Sequence, residues 1–300
     1  MPRSFGGRPH DSAGEVAQEH SIVGDDADDR RRGESVTSLL PGPATTPLDL
    51  SGRRVVVTGG GSGIGAACAT RLSSAGAKVV VLDVSADAAE RVAAEIGGAP
   101  LVADLTDHDA VEGLCAPDGA VAQADVVVNN AGLQHVAPLE TFPPDRFALI
   151  LRLMVETPFR LVRASLPHMY AQGWGRIVNI SSVHGLRASP HKSAYVAAKH
   201  GLEGLSKVIA LEGGARGVTS NTICPGYVHT PLVEGQIAAQ ARMHGIGEDE
   251  VVSTVLLRQS AIKRLIEPAE VAELAAYLCS PAGSFANGSS FVLDGGWTAR

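Results

Sequence analysis

Residues 53–83 read RRVVVTGGGSGIGAACATRLSSAGAKVVVLD, and this stretch decides the architecture. Arg53 to Thr58 is a short apolar run with the look of a buried strand. A glycine-rich turn follows, Thr58-Gly59-Gly60-Gly61-Ser62-Gly63-Ile64-Gly65. A helical pattern runs from Ile64 to Ala75, and KVVVLD is a second strand ending on Asp83. Glycines between a strand and a helix allow a tight turn and let backbone approach a pyrophosphate, where the helix's free amides and dipole favour negative charge. A carboxylate about twenty residues beyond such a loop suits the hydroxyls of an adenosine ribose and repels a 2′-phosphate. With no basic residue in the loop or beside Asp83, NAD(H) is favoured over NADP(H). Asp83 also has a plain alternative as a turn or N-cap residue, and Ser85 could cap the helix that follows.

The same alternation continues outward. APLVAD, ADVVVNN, GRIVNIS, GVTSNTI and SSFVLDG are short Val/Ile-rich runs, separated by helical patterns at Ala86 to Ile96, His108 to Cys115, about 144–172, about 193–212 and about 268–278. Strands that read as continuous apolar runs between helices imply a parallel sheet covered on both faces. The expectation is a doubly wound, Rossmann-like α/β domain of about seven strands over residues 50–300, with a helical lid near 231–258. Residues 1–49 are polar and rich in Gly, Pro and mixed charge. They are expected to be a disordered extension, because that composition buries too little surface to offset ordering entropy. A transit peptide is the sharper alternative, but GDDADD is acidic and such peptides are acid-poor.

Composition narrows the function classes. The chain is 45% hydrophobic and 19% charged with a net charge of -7, which argues against nucleic acid or an anionic membrane surface as partner. Cys68, Cys115, Cys224 and Cys279 show no metal-ligand spacing and read as reduced thiols of a cytoplasmic protein. No apolar run approaches membrane-spanning length, and the ten histidines include no zinc-binding motif, so no metal is expected.

SVHGLRASPHKSAYVAAKHG, residues 182–201, places Tyr195 and Lys199 four apart in a small, apolar helix, with Ser182 thirteen positions before the tyrosine. Positions i and i+4 share a helix face, so the two side chains can meet one small volume. Such a pair on its own can equally be a chance surface spacing.

The combination is far more specific. T-G-x-x-x-G-I-G, Asn129-Asn130-Ala131-Gly132, Ser182, Tyr195-x-x-x-Lys199 and Pro225-Gly226 together resemble the short-chain dehydrogenase/reductase family over residues 50–300. NNAGLQHVAPLETFP, GWGRIVNISSVHGL, ICPGYVHTPLVEGQI and DGGWTAR look like its branch that interconverts (R)-3-hydroxybutyrate and acetoacetate with NAD(H). The resemblance implies Tyr195 as acid/base, Lys199 as its tuner and ribose ligand, and Ser182 as the group binding the reacting oxygen. It implies that Gly59, Ser62, Gly63, Ile64, Asp83, Asp104, Leu105, Asn130, Pro225, Val228 and Thr230, with Tyr195 and Lys199, hold NAD. Gln134, His184, Lys192, Gln236 and Trp297, with Ser182 and Tyr195, would hold a small carboxylate substrate. The family is commonly tetrameric, so a homotetramer is implied too.

The chemistry suits these residue types. Oxidising a secondary alcohol needs a base for the hydroxyl proton, and tyrosine with an ordinary pKa of about 10 is a poor one at neutral pH. A neighbouring ammonium and an oxidised nicotinamide both favour phenolate, so Lys199 is expected to lower Tyr195. Two amides, an imidazole and an ammonium match a free carboxylate, which a coenzyme A or carrier-protein thioester lacks. Two positions depart from the pattern. Met154 stands where many members carry a catalytic asparagine, and Tyr227 where a tryptophan is usual. Pro158 removes the helical donor to the Met154 carbonyl, which would leave that carbonyl free for a proton-relay water. Dehydrogenation of another small hydroxy acid, or an inactive NAD-binding sensor, are the readings those departures leave open.

Overall fold

The computed structural model describes residues 48–299, so the expected N-terminal extension lies outside the described residues except for Leu48 and Asp49. Leu48 packs against the core. Seven parallel strands form one sheet in the order β3-β2-β1-β4-β5-β6-β7: β1 Arg54–Thr58, β2 Lys78–Asp83, β3 Ala99–Val102, β4 Val126–Asn129, β5 Gly175–Ile180, β6 Val218–Pro225 and β7 Ser290–Leu293. These are the seven apolar runs of the sequence.

Alternation along β1 shows how the layers form. Val55 and Val57 face one side of the sheet, with Val79, Val81, Val126 and Val128. There they meet helices α1 Gly63–Ser73, α2 Ala86–Ile96 and α9 Pro268–Cys279. Val56, Val127 and Ile177 face the other side, against α3 His108–Leu114, α4 Pro144–Leu151, α5 Thr157–Gln172 and α6 Ser193–Gly213. Side chains that alternate at period two reach both helical layers, which is why β1 and β4 at the centre read as continuous valine runs. The edge strands β3 and β7 are more exposed than the strands between them.

Strand order reverses between β1 and β4, opening a crevice at their C-terminal ends where doubly wound sheets bind ligands. The glycine loop leads into it. Gly59 and Gly63 sit at φ +61 and +51, a region that L side chains rarely adopt. Gly65 is required for space rather than for φ: a Cβ there would lie 2.0 Å from the Gly59 carbonyl oxygen.

Two expected helices are interrupted. The one expected over about 144–172 is divided by a π-helical turn, Arg152–Glu156, in which the Thr157 amide bonds the Arg152 carbonyl. Pro158 follows directly and has no amide to give to Met154, so the ladder slips by one residue where the regular bond is missing. The segment near 231–258 is likewise divided, into α7 Pro231–His244, α8 Glu248–Val251 and a second π turn, Val252–Leu256, with Gly245 at φ +65 ending α7.

Gly65→Ala is expected to cost about 2–4 kcal/mol of stability, because the methyl group must displace backbone rather than a side chain. Urea unfolding measures this, and a midpoint within error of the parent would contradict the packing described.

Candidate active site

The crevice holds two adjoining concavities. The larger, of 510 Å³, is lined by Gly59, Ser62, Gly63, Ile64, Asp83, Asp104, Leu105, Asn130 and Thr230, together with residues such as Val84, Thr106, Leu153 and Leu232. The smaller, of 50 Å³, is lined by Gln134, Ser182, His184, Lys192, Tyr195 and Gln236, with Tyr227, Leu232 and Val233. Among the expected cofactor positions, Pro225 ends β6 and Val228 is buried and bridged to Ile266, and neither lines the larger cleft. Trp297 stands behind the smaller hollow, its ring 5.7 Å from that of His184. Residues from the start of α7 border both concavities.

The larger cleft fits a dinucleotide. Ser62 precedes α1 without capping it through its side chain, which leaves first-turn amides open to an anion. Gly61 donates its amide to Asp83 Oδ2 at 2.9 Å, and a Cβ on Gly61 would press on that same oxygen. Asp83 Oδ1 takes the Ser85 amide, while Ser85 caps α2 by accepting from Ala88. The carboxylate therefore braces the loop and keeps lone pairs to spare. The sequence showed no basic neighbour, but the fold brings one: Arg91 Nη2 donates to the Gly61 carbonyl at 3.0 Å. It lies eight residues beyond Asp83, in the second turn of α2, too far to count as adjacent in sequence. Thr58, the first residue of the glycine motif, has a side-chain role that the motif does not reveal. Its hydroxyl accepts the amides of Asn130 and Ala131, and the Asn130 side chain returns bonds to the Thr58 and Gly59 carbonyls.

Around the smaller hollow, β5 ends into Ser182, and α6 presents Tyr195 and Lys199 on one face. Ser182 Oγ accepts the His184 amide at 3.1 Å and lies 3.3 Å from His184 Nδ1. His184 Nε2 meets Ser189 Oγ at 3.0 Å. Burial, helped by the Lys192 charge, pulls His184 down to about 3, so the ring is neutral and can fix the serine hydroxyl's direction. Lys192 is also buried, which lowers it to about 8; its Nζ donates to the Tyr227 hydroxyl at 3.3 Å. His191, just before it, is the one described non-glycine residue at positive φ. Gln134 Nε2 and Gln236 Oε1 are buried without hydrogen-bond partners.

The expected lowering of Tyr195 by Lys199 is not what the protein's own groups produce. Burial pushes the phenol up to about 12, outweighing a hydrogen bond from Ser182 that acts the other way. Lys199 itself falls to about 8 by burial, and its Nζ donates to the Ile180 carbonyl at 2.6 Å, 5.5 Å from the Tyr195 ring centre. Desolvation penalises both charged forms, and one ammonium at that range does not offset it. Met154 is buried with its thioether against Gly132, so its side chain acts as packing under the Asn-Ala-Gly turn.

Among the described residues no three His, Cys, Asp or Glu side chains gather as a metal-holding group, and no helix is long and apolar enough to cross a membrane. Residues 59–298 match a family model described as enoyl-(acyl carrier protein) reductase. A D-beta-hydroxybutyrate dehydrogenase of Rhizobium meliloti is 43% identical over 83% of this chain and 99% of its own length. Another, from Cupriavidus necator, is 41% identical over 84% of this chain and all of its own. A solved structure from Beutenbergia cavernae, named for an NAD(P)-dependent gluconate 5-dehydrogenase and carrying NADP, superposes with a TM-score of 0.74 at 32% identity, over 85% of this chain and 100% of that one.

Ultraviolet titration of the tyrosines against a Tyr195→Phe variant is expected to place the Tyr195 step above pH 11 in the protein alone, following its rise to about 12. Adding NAD+ is expected to bring that step down by more than a unit, since a positive ring favours phenolate. A Tyr195 step near its ordinary value of about 10 without added nucleotide would contradict the dominance of burial.

Proposed function

The chain belongs to the short-chain dehydrogenase/reductase family of nicotinamide-dependent oxidoreductases, and within it we propose that it interconverts (R)-3-hydroxybutyrate and acetoacetate, using NAD(H). The observation that carries the substrate is the smaller hollow. An ammonium (Lys192), an unpartnered amide donor (Gln134 Nε2) and the edge of a neutral imidazole converge beside Ser182 and Tyr195. An orphaned buried donor beside a desolvated ammonium suits a carboxylate, which supplies the charge and lone pairs both need. Gln236 would join by turning its amide, because its Nε2 now donates to the Leu232 carbonyl and its Oε1 faces inward. A hollow of 50 Å³, room for about four water-sized spheres, favours a short acid. The matching family model is described by an acyl-carrier-protein substrate, and such a thioester would leave Lys192 without an anion.

Bound in the larger cleft, the dinucleotide supplies the hydride acceptor or donor and, when oxidised, a positive ring. Gly59, Ser62, Gly63 and Ile64 would hold its pyrophosphate, Asp83 its adenosine ribose, Asn130 and Thr230 the middle of the molecule, and Lys199 the nicotinamide ribose. Asp83 supports NAD(H) over NADP(H), because its carboxylate would repel a 2′-phosphate, although Arg91 lies nearer than the sequence suggested. In oxidation Tyr195 Oη takes the substrate hydroxyl proton while Ser182, aimed by His184, donates to the oxygen as it becomes a carbonyl. In reduction the neutral phenol is already the acid required. The Met154 carbonyl, inside the π turn and denied a donor by Pro158, is proposed to serve as the relay's water anchor in place of the asparagine.

Tyr227 favours a second reading, a related hydroxy acid with an extra polar group. Its hydroxyl occupies one Lys192 hydrogen and lines the same hollow.

Absorbance of NADH formed from (R)-3-hydroxybutyrate tests the reading, beside the S enantiomer and Tyr195→Phe. The R form alone should turn over, and the variant should lose at least a hundredfold of kcat, the scale of general acid–base catalysis. Silence with R, or equal turnover of both enantiomers, overturns it. Lys192→Met should raise KM for the acid at least tenfold with kcat less affected. Because Lys192 releases its proton near pH 8 in the free protein, KM should climb as pH rises past that value. A KM unmoved by the substitution would place the carboxylate elsewhere.

A further inference from the structure

The face of α6 that carries Tyr195 and Lys199 continues to a third ionisable group. Tyr195, Lys199 and Glu203 follow one another at steps of four, so they stack along one side of the helix. Glu203 is 5% exposed, and its carboxylate is a convergence point for three elements. It receives Thr222 Oγ1 at 2.8 Å and Cys224 Sγ at 3.2 Å from β6, and Ser290 Oγ at 2.6 Å from β7. All three donors are neutral. Burial and Glu203 together push the Cys224 thiol up to about 12, so it remains a donor and not a second anion.

A carboxylate taken out of water without a countercharge is costly, and so is an ammonium. Lys199 is 4% exposed, and its one hydrogen bond is to the neutral Ile180 carbonyl. The two charges lie one helical turn apart in the same dry layer. The groups facing Lys199 are the Tyr195 ring on its own helix, the Ile180 carbonyl at the end of β5, Cys224 at the end of β6, and Glu203. Only Glu203 is a carboxylate.

We propose that Glu203 is a positioning residue of the reaction centre, a buried countercharge that keeps Lys199 protonated. Its hydroxyl and thiol donors hold the carboxylate in the layer beneath the reacting atoms without neutralising it. Burial lowers Lys199 to about 8, and Glu203, the charged group among those facing it, acts the other way, whereas Cys224 stays a neutral thiol. Remove the negative charge and Lys199 loses its proton at lower pH. At neutral pH the tyrosine then faces an amine, and its phenolate loses the ammonium one turn along its own helix.

The proposal rests on the acid/base roles of Tyr195 and Lys199, and its test uses two readouts. One is the pH profile of kcat for the hydroxy acid oxidised. The other is the pH dependence of NADH binding, read by fluorescence, which needs no substrate and so survives an error in the substrate assignment. Glu203→Gln keeps the shape and two hydrogen-bonding atoms but not the charge. It should move the alkaline limb of both curves down by about one pH unit, the size expected for a charge one turn away in a partly screened interior. Glu203→Asp should move them by less. Thr222→Val and Ser290→Ala, which remove donors and leave the charge, should lower the melting temperature and leave the limbs in place. Should Glu203→Gln fail to fold, Glu203→Met, which requires no donors, replaces it. Limbs that stay where they are in the neutral variants, whatever happens to stability, make Glu203 a purely structural anchor and overturn the proposal.

Discussion

The hydrogen bond from Lys199 Nζ to the Ile180 carbonyl, 2.6 Å long and wholly buried, ties the helix that carries Tyr195 to the strand that leads into Ser182. Much of the reaction centre depends on that tie. It joins an ammonium to the end of β5 inside a low-dielectric layer, where a charge without partners would be expelled or neutralised. It also sets how far α6 can slide along the sheet, and with it the distance between Tyr195 and Ser182.

Around this tie the protein works by desolvation. The same burial holds Tyr195 as a phenol, keeps His184 neutral and brings Lys192 and Lys199 near pH 8. Each group is thereby left sensitive to whatever charge next enters the crevice. An anion beside Lys192 and a cation beside Tyr195 would each relieve a cost that the protein already carries.

The two departures from the family pattern have local physical explanations. Where an asparagine is usual, Met154 fills space under Gly132, and Pro158 accounts for the π turn that separates α4 from α5. Tyr227 places a hydroxyl on Lys192, a polar contact that an indole ring could not make as an acceptor. Both changes leave Ser182, Tyr195 and Lys199 together at the crevice.

The sequence alone was enough for the parallel sheet, the glycine loop and the pairing of Tyr195 with Lys199. These are written in local periodicities: two for strands, four for a helix face, and glycine wherever a side chain would collide. It also placed Gln134, His184, Lys192 and Gln236 as candidates around one carboxylate, through resemblance rather than spacing, and the fold brings all four to one hollow. What only the tertiary structure decided are the contacts between residues distant in the chain. Arg91 reaches the Gly61 carbonyl thirty positions away, and Glu203 collects donors from two strands that follow it. In the protein without nucleotide the Tyr195 phenol is raised by burial, a cause the sequence does not display: charge proximity is legible in an i, i+4 pair but burial is not. Desolvation is a property of everything packed around a group, and no short stretch of sequence contains that.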